Sequence, residues 1–437
     1  MRRAWVVLVL GGLSLTAALA TGRDLYFYLT YLLLLMLALS ALWSWLMLRG
    51  LQITRHTRAQ HVQVGHLFEE TFSLRNTIWL PKLWVTVHDY SDLPGYSGGR
   101  VIDRLAPRSE RGWVARSACE RRGRFRLGPL VIASGDPFGL FEFERKYPQT
   151  SIVLVYPATA PLNRFPQPVG YMPGGDALRR RSYQVTPNAA GAREYAPGDG
   201  FNRIHWPSTA RKGRLIVKEF ELDPMLDVWI LLDMHSEVHV NRPVDEAERA
   251  MKRRRSLWSR LNAVELDSST EEYAVTAAAS VAEHLIRNDR TVGLVAHGQH
   301  REVIQADRGE RQLGKILETL AVLKAEGEMP FGEVVELEGR RLLRGTTVVA
   351  ISPSSGKQWV DAALLLERNG IRVVNILIDA ASFGGAQSSQ RLHKRLLATG
   401  APTAVLRCGD SLSTVLSFLS DASSRSTWTP RQLGYGA

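Results

Sequence analysis

The strongest constraint on this chain is a pair of long apolar segments at its N-terminus. Neither the first, from Ala4 to Ala20, nor the second, from Leu25 to Leu48, contains a charged residue. A helix needs about 20 apolar residues to span a bilayer, so the second segment is ample and the first is near the lower limit. Only a short polar break from Thr21 to Asp24 separates them. The pattern predicts a hairpin of two transmembrane helices over residues 1–50.

A cleaved signal peptide is the alternative interpretation of the first segment, because a basic start precedes it and small residues end it. That reading would leave the second segment as a single anchor, with the bulk of the chain outside the cell. The basic residues at both ends favour the hairpin: Arg2 and Arg3 precede the first helix, and Arg49, Arg55 and Arg58 follow the second. Since basic flanks stay on the cytoplasmic side, both ends and the soluble part are expected in the cytoplasm.

The net charge of +12 has two explanations. A nucleic-acid partner is one. A membrane protein whose cytoplasmic side faces anionic lipid is the other, and the apolar hairpin favours it. The two cysteines, Cys119 and Cys408, lie far apart in the sequence. They argue against a disulfide framework and against a cysteine zinc site.

Residues 51–160 show an all-β pattern. Phe68, Phe72 and Leu74 share one strand face, which only Glu70 interrupts. Short runs rich in β-branched and aromatic residues alternate with Gly- and Pro-containing turns, including one at 136–139. Strands at this spacing predict a small antiparallel β-sandwich.

The rest of the chain divides into three parts. Residues 161–222 are irregular and rich in Gly, Pro and Arg, whereas residues 223–421 alternate apolar strands with amphipathic helices. That alternation predicts a mostly parallel sheet covered on both faces. A basic insertion at 239–267 is either a solvated helix or a surface for lipid or nucleic acid. The Ser/Thr-rich tail, 422–437, is expected to be disordered.

The irregular segment carries the most specific motif. We call its ten marked residues the signature: Arg193, Glu194, Tyr195, Gly198, Asp199, Arg203, His205, Trp206, Arg211 and Glu219. A tight turn at Gly198 would bring Asp199 close enough to pair with Arg203. The motif contains no carboxylate dyad, nucleophile elbow or phosphate loop. We therefore expect a structural or partner-docking role and no enzyme activity.

The signature closely resembles that of the bacterial domain-of-unknown-function family fifty-eight. Two further stretches, residues 121–129 and 136–141, are similar to the same family, as is the layout of hairpin, sandwich, signature and α/β domain. The resemblance implies a von Willebrand factor A-like C-terminal domain with a doubly wound sheet. It also implies association with MoxR-type AAA+ ATPases, in the manner of a chaperone adaptor. No reaction is implied.

A-like domains often bind Mg²⁺ at the end of their first strand through an Asp-x-Ser-x-Ser pattern. Here Asp233 fits, but His235 and Glu237 replace the two serines, and Ser352 stands where a second Asp is expected. Because Mg²⁺ requires oxygen ligands in octahedral geometry, this degenerate pattern disfavours a metal cofactor.

These observations predict an α+β multidomain protein: a transmembrane helical hairpin, a small antiparallel β-sandwich and a C-terminal α/β domain. We expect a multi-pass protein of the bacterial inner (plasma) membrane, acting as a scaffold or adaptor for a MoxR-type ATPase. Its partners are then the lipid bilayer and that protein, and nucleic acid is disfavoured. A metal-dependent extracellular adhesion module is one alternative. An enzyme centred on His205 and Asp199 is another.

Overall fold

The protein is seen in a computed structural model that describes residues 4–96, 98–166, 189–196, 204–220, 227–242 and 266–425. Most of the basic insertion, the tail from residue 426, and Gly198, Asp199 and Arg203 of the signature lie outside these residues. The chain forms two compact units. The first comprises Met1–Ala160, Asn241–Ala279 and Gly314–Lys324, and the second comprises Pro161–Val240, Ser280–Leu313 and Ala325–Ala437. The domain limits inferred from the sequence stay predictions.

The two apolar segments are helices, as predicted. Helix α1 covers Ala4–Thr21 and helix α2 covers Asp24–Leu48. They are antiparallel neighbours, and the Ser14 hydroxyl donates a hydrogen bond to the Tyr26 carbonyl oxygen at 3.0 Å. By length and composition alone, both helices could cross a membrane.

Ten strands follow α2 among the described residues of the first unit. They are β1 (Leu51–Thr57), β2 (His61–Gln63), β3 (Leu67–Asn76), β4 (Lys82–Asp89), β5 (Arg100–Leu105), β6 (Glu110–Ala118), β7 (Gly123–Leu127), β8 (Leu130–Gly135), β9 (Glu142–Tyr147) and β10 (Ser151–Tyr156). They form three sheets, in the orders β1-β3-β6, β5-β4-β8-β9 and β2-β10-β7. All pairings are antiparallel except that of β10 with β2.

The core of this unit lies between the first two sheets. Phe72 and Trp113 from one sheet pack with Val85, Ile102 and Ile132 from the other. The predicted alternation in β3 is confirmed, since every second residue from Phe68 to Asn76 is buried. Burial of these apolar side chains supplies the main stabilisation of the sandwich.

A buried polar network explains why Glu70 interrupts the apolar face of β3. Glu70 is fully buried and accepts two hydrogen bonds from Arg55 on β1, from Nε at 2.8 Å and from Nη2 at 2.5 Å. The Thr57 hydroxyl donates to it at 2.8 Å, and the Tyr96 hydroxyl donates as well. Asp89 lies 3.4 Å from Arg55 Nη2. The carboxylate is thus paired and hydrogen-bonded inside the core, as a buried charge must be.

The second unit begins with the signature region, which contains more regular structure than the sequence indicated. Strand β11 (Ala189–Glu194) pairs antiparallel with β12 (Ile216–Phe220), and helix α3 (Trp206–Lys212) lies between them in the chain. The strand from 215 was expected, whereas β11 was not. Its sequence is Ala-Ala-Gly-Ala-Arg-Glu, which has little β propensity.

The α/β part of the chain is built on one six-stranded sheet. Its strands are β13 (Val228–Leu232), β14 (Val292–His297), β15 (Arg301–Asp307), β16 (Thr347–Ser352), β17 (Arg372–Ile378) and β18 (Thr403–Leu406). The sheet order is β15-β14-β13-β16-β17-β18, and only the edge strand β15 is antiparallel. Every residue of β16 is buried, as expected for a strand covered on both faces. The predicted mostly parallel sheet is confirmed.

Six helices lie between or after these strands among the described residues. They are α4 (Thr270–Arg287), α5 (Glu310–Val322), α6 (Phe331–Gly339), α7 (Lys357–Arg368), α8 (Gln390–Thr399) and α9 (Leu412–Arg425). The unit boundary falls within α4 and α5. Helix α6 was not predicted, and α9 continues to Arg425 beyond the expected end of its helix.

Candidate functional site

The carboxyl edge of the six-stranded sheet is the candidate functional site. Strands β13 and β16 are neighbours at the point where the strand order reverses direction. The connections after these two strands lead to opposite sides, which leaves a crevice at their carboxyl ends. Asp233 follows β13 directly, and Ser352 ends β16. The sequence predicted both residues at the ends of strands, and they lie close together because β13 and β16 are neighbours in the sheet.

Asp233 is buried and hydrogen-bonded through both carboxylate oxygens. Its Oδ2 accepts from the Ser352 hydroxyl at 2.5 Å, and its Oδ1 accepts from the His235 backbone N–H at 3.0 Å. Ser352 Oγ in turn accepts from the Ser354 backbone N–H at 2.9 Å. Burial raises the pKa of the Asp233 carboxyl, although the Ser352 hydrogen bond opposes that shift. The Asp233 carboxylate therefore links the ends of β13 and β16 through hydrogen bonds at the base of the crevice.

The other two residues of the degenerate metal pattern do not converge on Asp233. His235 is half-buried, and it contributes its backbone N–H to the carboxylate. Glu237 is exposed in a single 3₁₀ turn, Ser236–Val238. His239 Nε2 lies 2.9 Å from the backbone oxygen of Asp233. Within the described ranges, no three His, Cys, Asp or Glu side chains are grouped to hold a metal ion.

Two further buried carboxylates lie near the ends of neighbouring strands. Asp379 follows β17, and its Oδ1 accepts from the Ser389 backbone N–H at 3.0 Å. Arg407 Nε lies 3.7 Å from the other oxygen of Asp379. Asp379 belongs to none of the motifs recognised in the sequence. Its position directly after an apolar strand was the available signal.

Glu338 on α6 is the second such carboxylate. Arg301 donates to it from Nε at 2.8 Å and from Nη2 at 2.9 Å. His297, at the end of β14, lies 3.2 Å away through Nε2, and Arg341 Nη1 lies 3.3 Å away. The Arg301 hydrogen bonds, with those of the other partners, lower the pKa of Glu338 although its burial opposes them. This cluster ties α6 to the β14–β15 hairpin.

The buried carboxylates of this edge are all bound by groups of the chain itself. Asp233, Asp379 and Glu338 each accept hydrogen bonds from the chain itself, so their oxygens already have partners. Ser236 and Glu237, on the turn that follows Asp233, are polar and exposed. A buried carboxylate whose oxygens all have hydrogen-bond partners makes the surrounding structure rigid.

The donor set also does not fit Mg²⁺. Both Asp233 oxygens are used internally, and Glu237 is exposed on a separate turn. Mg²⁺ requires near-ideal octahedral oxygen geometry, which this arrangement does not provide.

We expect millimolar Mg²⁺ to leave the melting temperature of the full chain in detergent micelles nearly unchanged. A site that bound the native state at a hundredfold excess over its dissociation constant would add about 2.7 kcal/mol of stability. Thermal melting with and without Mg²⁺ measures this directly. Asp307→Asn, at an exposed residue that ends β15, is the matched control for Asp233→Asn. A rise of several degrees that Asp233→Asn abolished would show that a metal site exists.

The signature residues within the described ranges lie around α3 and the β11–β12 pair. His205 precedes α3, and its Nδ1 lies 2.7 Å from the Ser208 hydroxyl oxygen, a local contact across the first turn. Trp206 is 63% exposed, and Arg211 is exposed near the end of α3. Glu194 forms an ion pair with Arg214, and Tyr195 is half-buried.

Part of the signature cannot be placed. Gly198, Asp199 and Arg203 lie outside the described residues, and so does the predicted ion pair between the last two. Arg193 and Glu219 are described only through their strands: Arg193 pairs with Val217, and Glu219 pairs with Gly191.

Comparison with known proteins agrees with the motif. The family model described as "Protein of unknown function DUF58" matches residues 191–242, which include all ten signature residues and Asp233. The uncharacterized protein YeaD of Bacillus subtilis (strain 168) is 22% identical over 434 residues, covering 94% of this chain and 98% of YeaD.

Solved structures show weaker likenesses. Proximal thread matrix protein 1 from the mussel byssus is 13% identical, covers 45% of this chain and 48% of its own, and gives a TM-score of 0.30. The CARDB domain of a Pyrococcus furiosus protein is 16% identical, covers 24% of this chain and 91% of its own, and gives a TM-score of 0.19. These two likenesses carry no inference. The family match over residues 191–242 and the near full-length relative confirm the resemblance to DUF58 proteins that was drawn from the signature.

Proposed function

We propose that this protein is a membrane-anchored cytoplasmic scaffold or adaptor whose C-terminal α/β domain binds a partner protein at the carboxyl edge of its sheet. The observation that carries the proposal is the state of the buried carboxylates there. Asp233, Asp379 and Glu338 are engaged by the chain itself, which stiffens the edge without leaving a ligand position open. The exposed Ser236 and Glu237 lie on a turn of that edge and offer polar contacts to a protein.

The C-terminal domain is proposed to be von Willebrand factor A-like. Its strand order, with one antiparallel edge strand and with β13 and β16 at the centre, supports this assignment. The aspartate that ends β13 supports it as well. The partner class that the family resemblance implies is a MoxR-type AAA+ ATPase, and a rigid polar edge suits recognition by such a protein.

The proposed membrane topology is a multi-pass hairpin in the inner membrane with the soluble part in the cytoplasm. Basic residues before α1 and after α2 support this orientation. We expect a reporter that works only in the cytoplasm to be active when fused after Ala437. Activity confined to a reporter that requires export would reverse the orientation and favour an extracellular binding module.

The docking edge can be tested by reversing one exposed charge. We expect Glu237→Arg to abolish recovery of a MoxR-type ATPase after mild crosslinking and co-purification, because the added charge lies on the proposed contact surface. Asp307→Arg is the matched control. Asp307 is also exposed, and it pairs with Val292 at the opposite edge of the same sheet.

The captured proteins would be identified by mass spectrometry. Melting curves of both variants would show whether each one is folded. Equal recovery of the ATPase with a folded Glu237→Arg and with the control would rule out this edge as the docking surface.

A further inference from the structure

The turn between β8 and β9 is held by one carboxylate. The sequence predicted a turn at 136–139, and the chain does turn there. Asp136 is buried, and it accepts from the backbone N–H groups of Phe141 at 2.7 Å and Phe138 at 2.9 Å. Burial alone would raise the pKa of Asp136, but these hydrogen bonds and one from Ser40 lower it. The ionised carboxylate therefore fixes the shape of the turn.

The same turn is fastened to the second apolar helix. The Ser40 hydroxyl donates to Asp136 Oδ2 at 2.8 Å, and the Ser44 hydroxyl donates to the Phe141 carbonyl oxygen at 3.1 Å. Leu140 packs in one cluster with Ala4, Val7 and Leu37 of the two helices. The turn thus contacts both helices of the hairpin.

A second contact lies nearer the end of α2. Lys82, at the start of β4, is fully buried, and its Nζ donates to the Leu46 carbonyl oxygen at 2.5 Å. Carbonyl groups in the last turn of a helix lack intrahelical partners, so a cation there is favourable. The sandwich therefore holds the last turns of α2 directly.

These contacts locate the turn relative to the part of the hairpin that can span a bilayer. Helix α1 has 18 residues, or about 27 Å, close to the thickness of a hydrocarbon core. Leu140 lies level with the start of α1, because it clusters with Ala4 and Leu37. From Leu37, α2 continues to Leu48, a further length of about 16 Å. The turn therefore lies where the hairpin leaves the hydrocarbon.

Two aromatic side chains are exposed at this level. Phe138, within the turn, is 64% exposed, and Trp84 on β4 is 52% exposed. Val85 pairs with Ser134, so Trp84 lies beside Gly135 at the entry to the turn. Trp84 adopts a φ of 48°, a conformation that costs free energy for a bulky residue. Strained backbone conformations cluster at functional positions, which makes the exposed indole of Trp84 a candidate for a role outside the fold.

We propose that Phe138 and Trp84 insert into the headgroup region of the bilayer that holds the hairpin. Aromatic rings are favoured at this depth because they combine an apolar surface with tolerance of water. The Asp136–Phe141 turn then places the sandwich in contact with the membrane surface. The sandwich is not a free domain connected to the membrane only through α2. This inference rests on the membrane anchoring proposed above.

Spin labels can measure the depth of these residues in the full chain. Phe138→Cys, Trp84→Cys, Gln149→Cys and Leu35→Cys would each be labelled with a nitroxide in a Cys408→Ser background. The protein would be reconstituted in nanodiscs of phosphatidylcholine and phosphatidylglycerol. Gln149 is exposed beyond the other end of β9 and is the matched aqueous control. Leu35 is 57% exposed on α2 and is the lipid reference.

The readout is the ratio of collision rates with oxygen and with a water-soluble nickel chelate. We expect the ratio at positions 138 and 84 to exceed that at 149 several-fold and to approach that at 35. Ratios at 138 and 84 equal to that at 149, with position 35 in lipid, would overturn the inference and leave the anchor intact. Low collision rates with both reagents at 138 and 84 would also overturn it, because they indicate burial against protein. An aqueous ratio at position 35 would overturn the membrane anchor as well.

Discussion

Replacing Glu70 by alanine is expected to lower the free energy of unfolding by about 3–5 kcal/mol. Glu70 is fully buried and receives both guanidinium bonds of Arg55. Its removal leaves the Arg55 charge in the core with Asp89 at 3.4 Å as the remaining carboxylate. The hydroxyl groups of Thr57 and Tyr96 also lose their acceptor. A buried charge that loses its hydrogen-bonded partner is among the most destabilising changes a single substitution can cause.

The neighbouring residue supplies the control. Glu69 on the same strand is partly exposed and pairs with the exposed Arg116 at 2.8 Å, so Glu69→Ala should cost no more than about 1 kcal/mol. Denaturant midpoints of both variants, measured on the full chain in detergent micelles, would test the difference.

A double variant isolates the pair itself. Because Arg55→Met with Glu70→Leu removes both charges together, it should cost less than the sum of the two single changes. Additive costs, or equal losses for Glu69→Ala and Glu70→Ala, would show that Glu70 is not paired in the core.

Glu70 also marks the limit of what the sequence could predict. The alternation of apolar and polar residues along β3 predicted the strand and its buried face, and Glu70 was the one charged residue on that face. The partner could not be read, because Arg55 lies on another strand, and Asp89 and Tyr96 follow at larger separations in the chain. Local pattern fixes which face is buried, whereas the pairing of strands decides which polar groups meet there.

The candidate site shows the same division. Asp233 and Ser352 were predictable because each ends an apolar strand, and parallel strands share their carboxyl edge. The Glu338 cluster was not, because the helix that carries it was missed. Helix α6 has nine residues with two glycines and follows Pro330, so its helical period is short and its composition is typical of a loop. The two N-terminal helices were the most predictable elements, because their length and apolar composition can be read from the local sequence alone.

Replacing Arg122 by alanine is the second change from which we expect a large effect, again about 3–5 kcal/mol. The Arg122 side chain is 4% exposed, and its Nη1 and Nη2 lie 2.5 Å from Glu272 and Glu271 in the first turn of α4. Nη2 also donates to the Leu323 carbonyl oxygen at 2.9 Å. These partners are at least 149 residues away in the sequence. The stretch at 121–129 could therefore be recognised as family-like from the sequence, but the contacts of Arg122 could not be predicted from it.

Arg122→Lys should recover little of the loss, because a single ammonium cannot serve two carboxylates and a carbonyl with the geometry of a guanidinium. Arg121→Ala is the matched control: Arg121 is 49% exposed and lies 3.6 Å from the partly exposed Asp267, so its loss should cost about 1 kcal/mol or less. Removal of Arg122 also leaves two adjacent glutamates without their cation. Burial already raises the pKa of Glu272, and the loss of Arg122 should raise it further.

The destabilisation of Arg122→Ala should therefore grow as the pH rises from 5 to 8, since Glu272, with its pKa raised further, must then ionise without its cation. Unfolding midpoints of the three variants across this range provide the test. A pH-independent loss equal to that of Arg121→Ala would mean that the Arg122 guanidinium does not hold the first turn of α4.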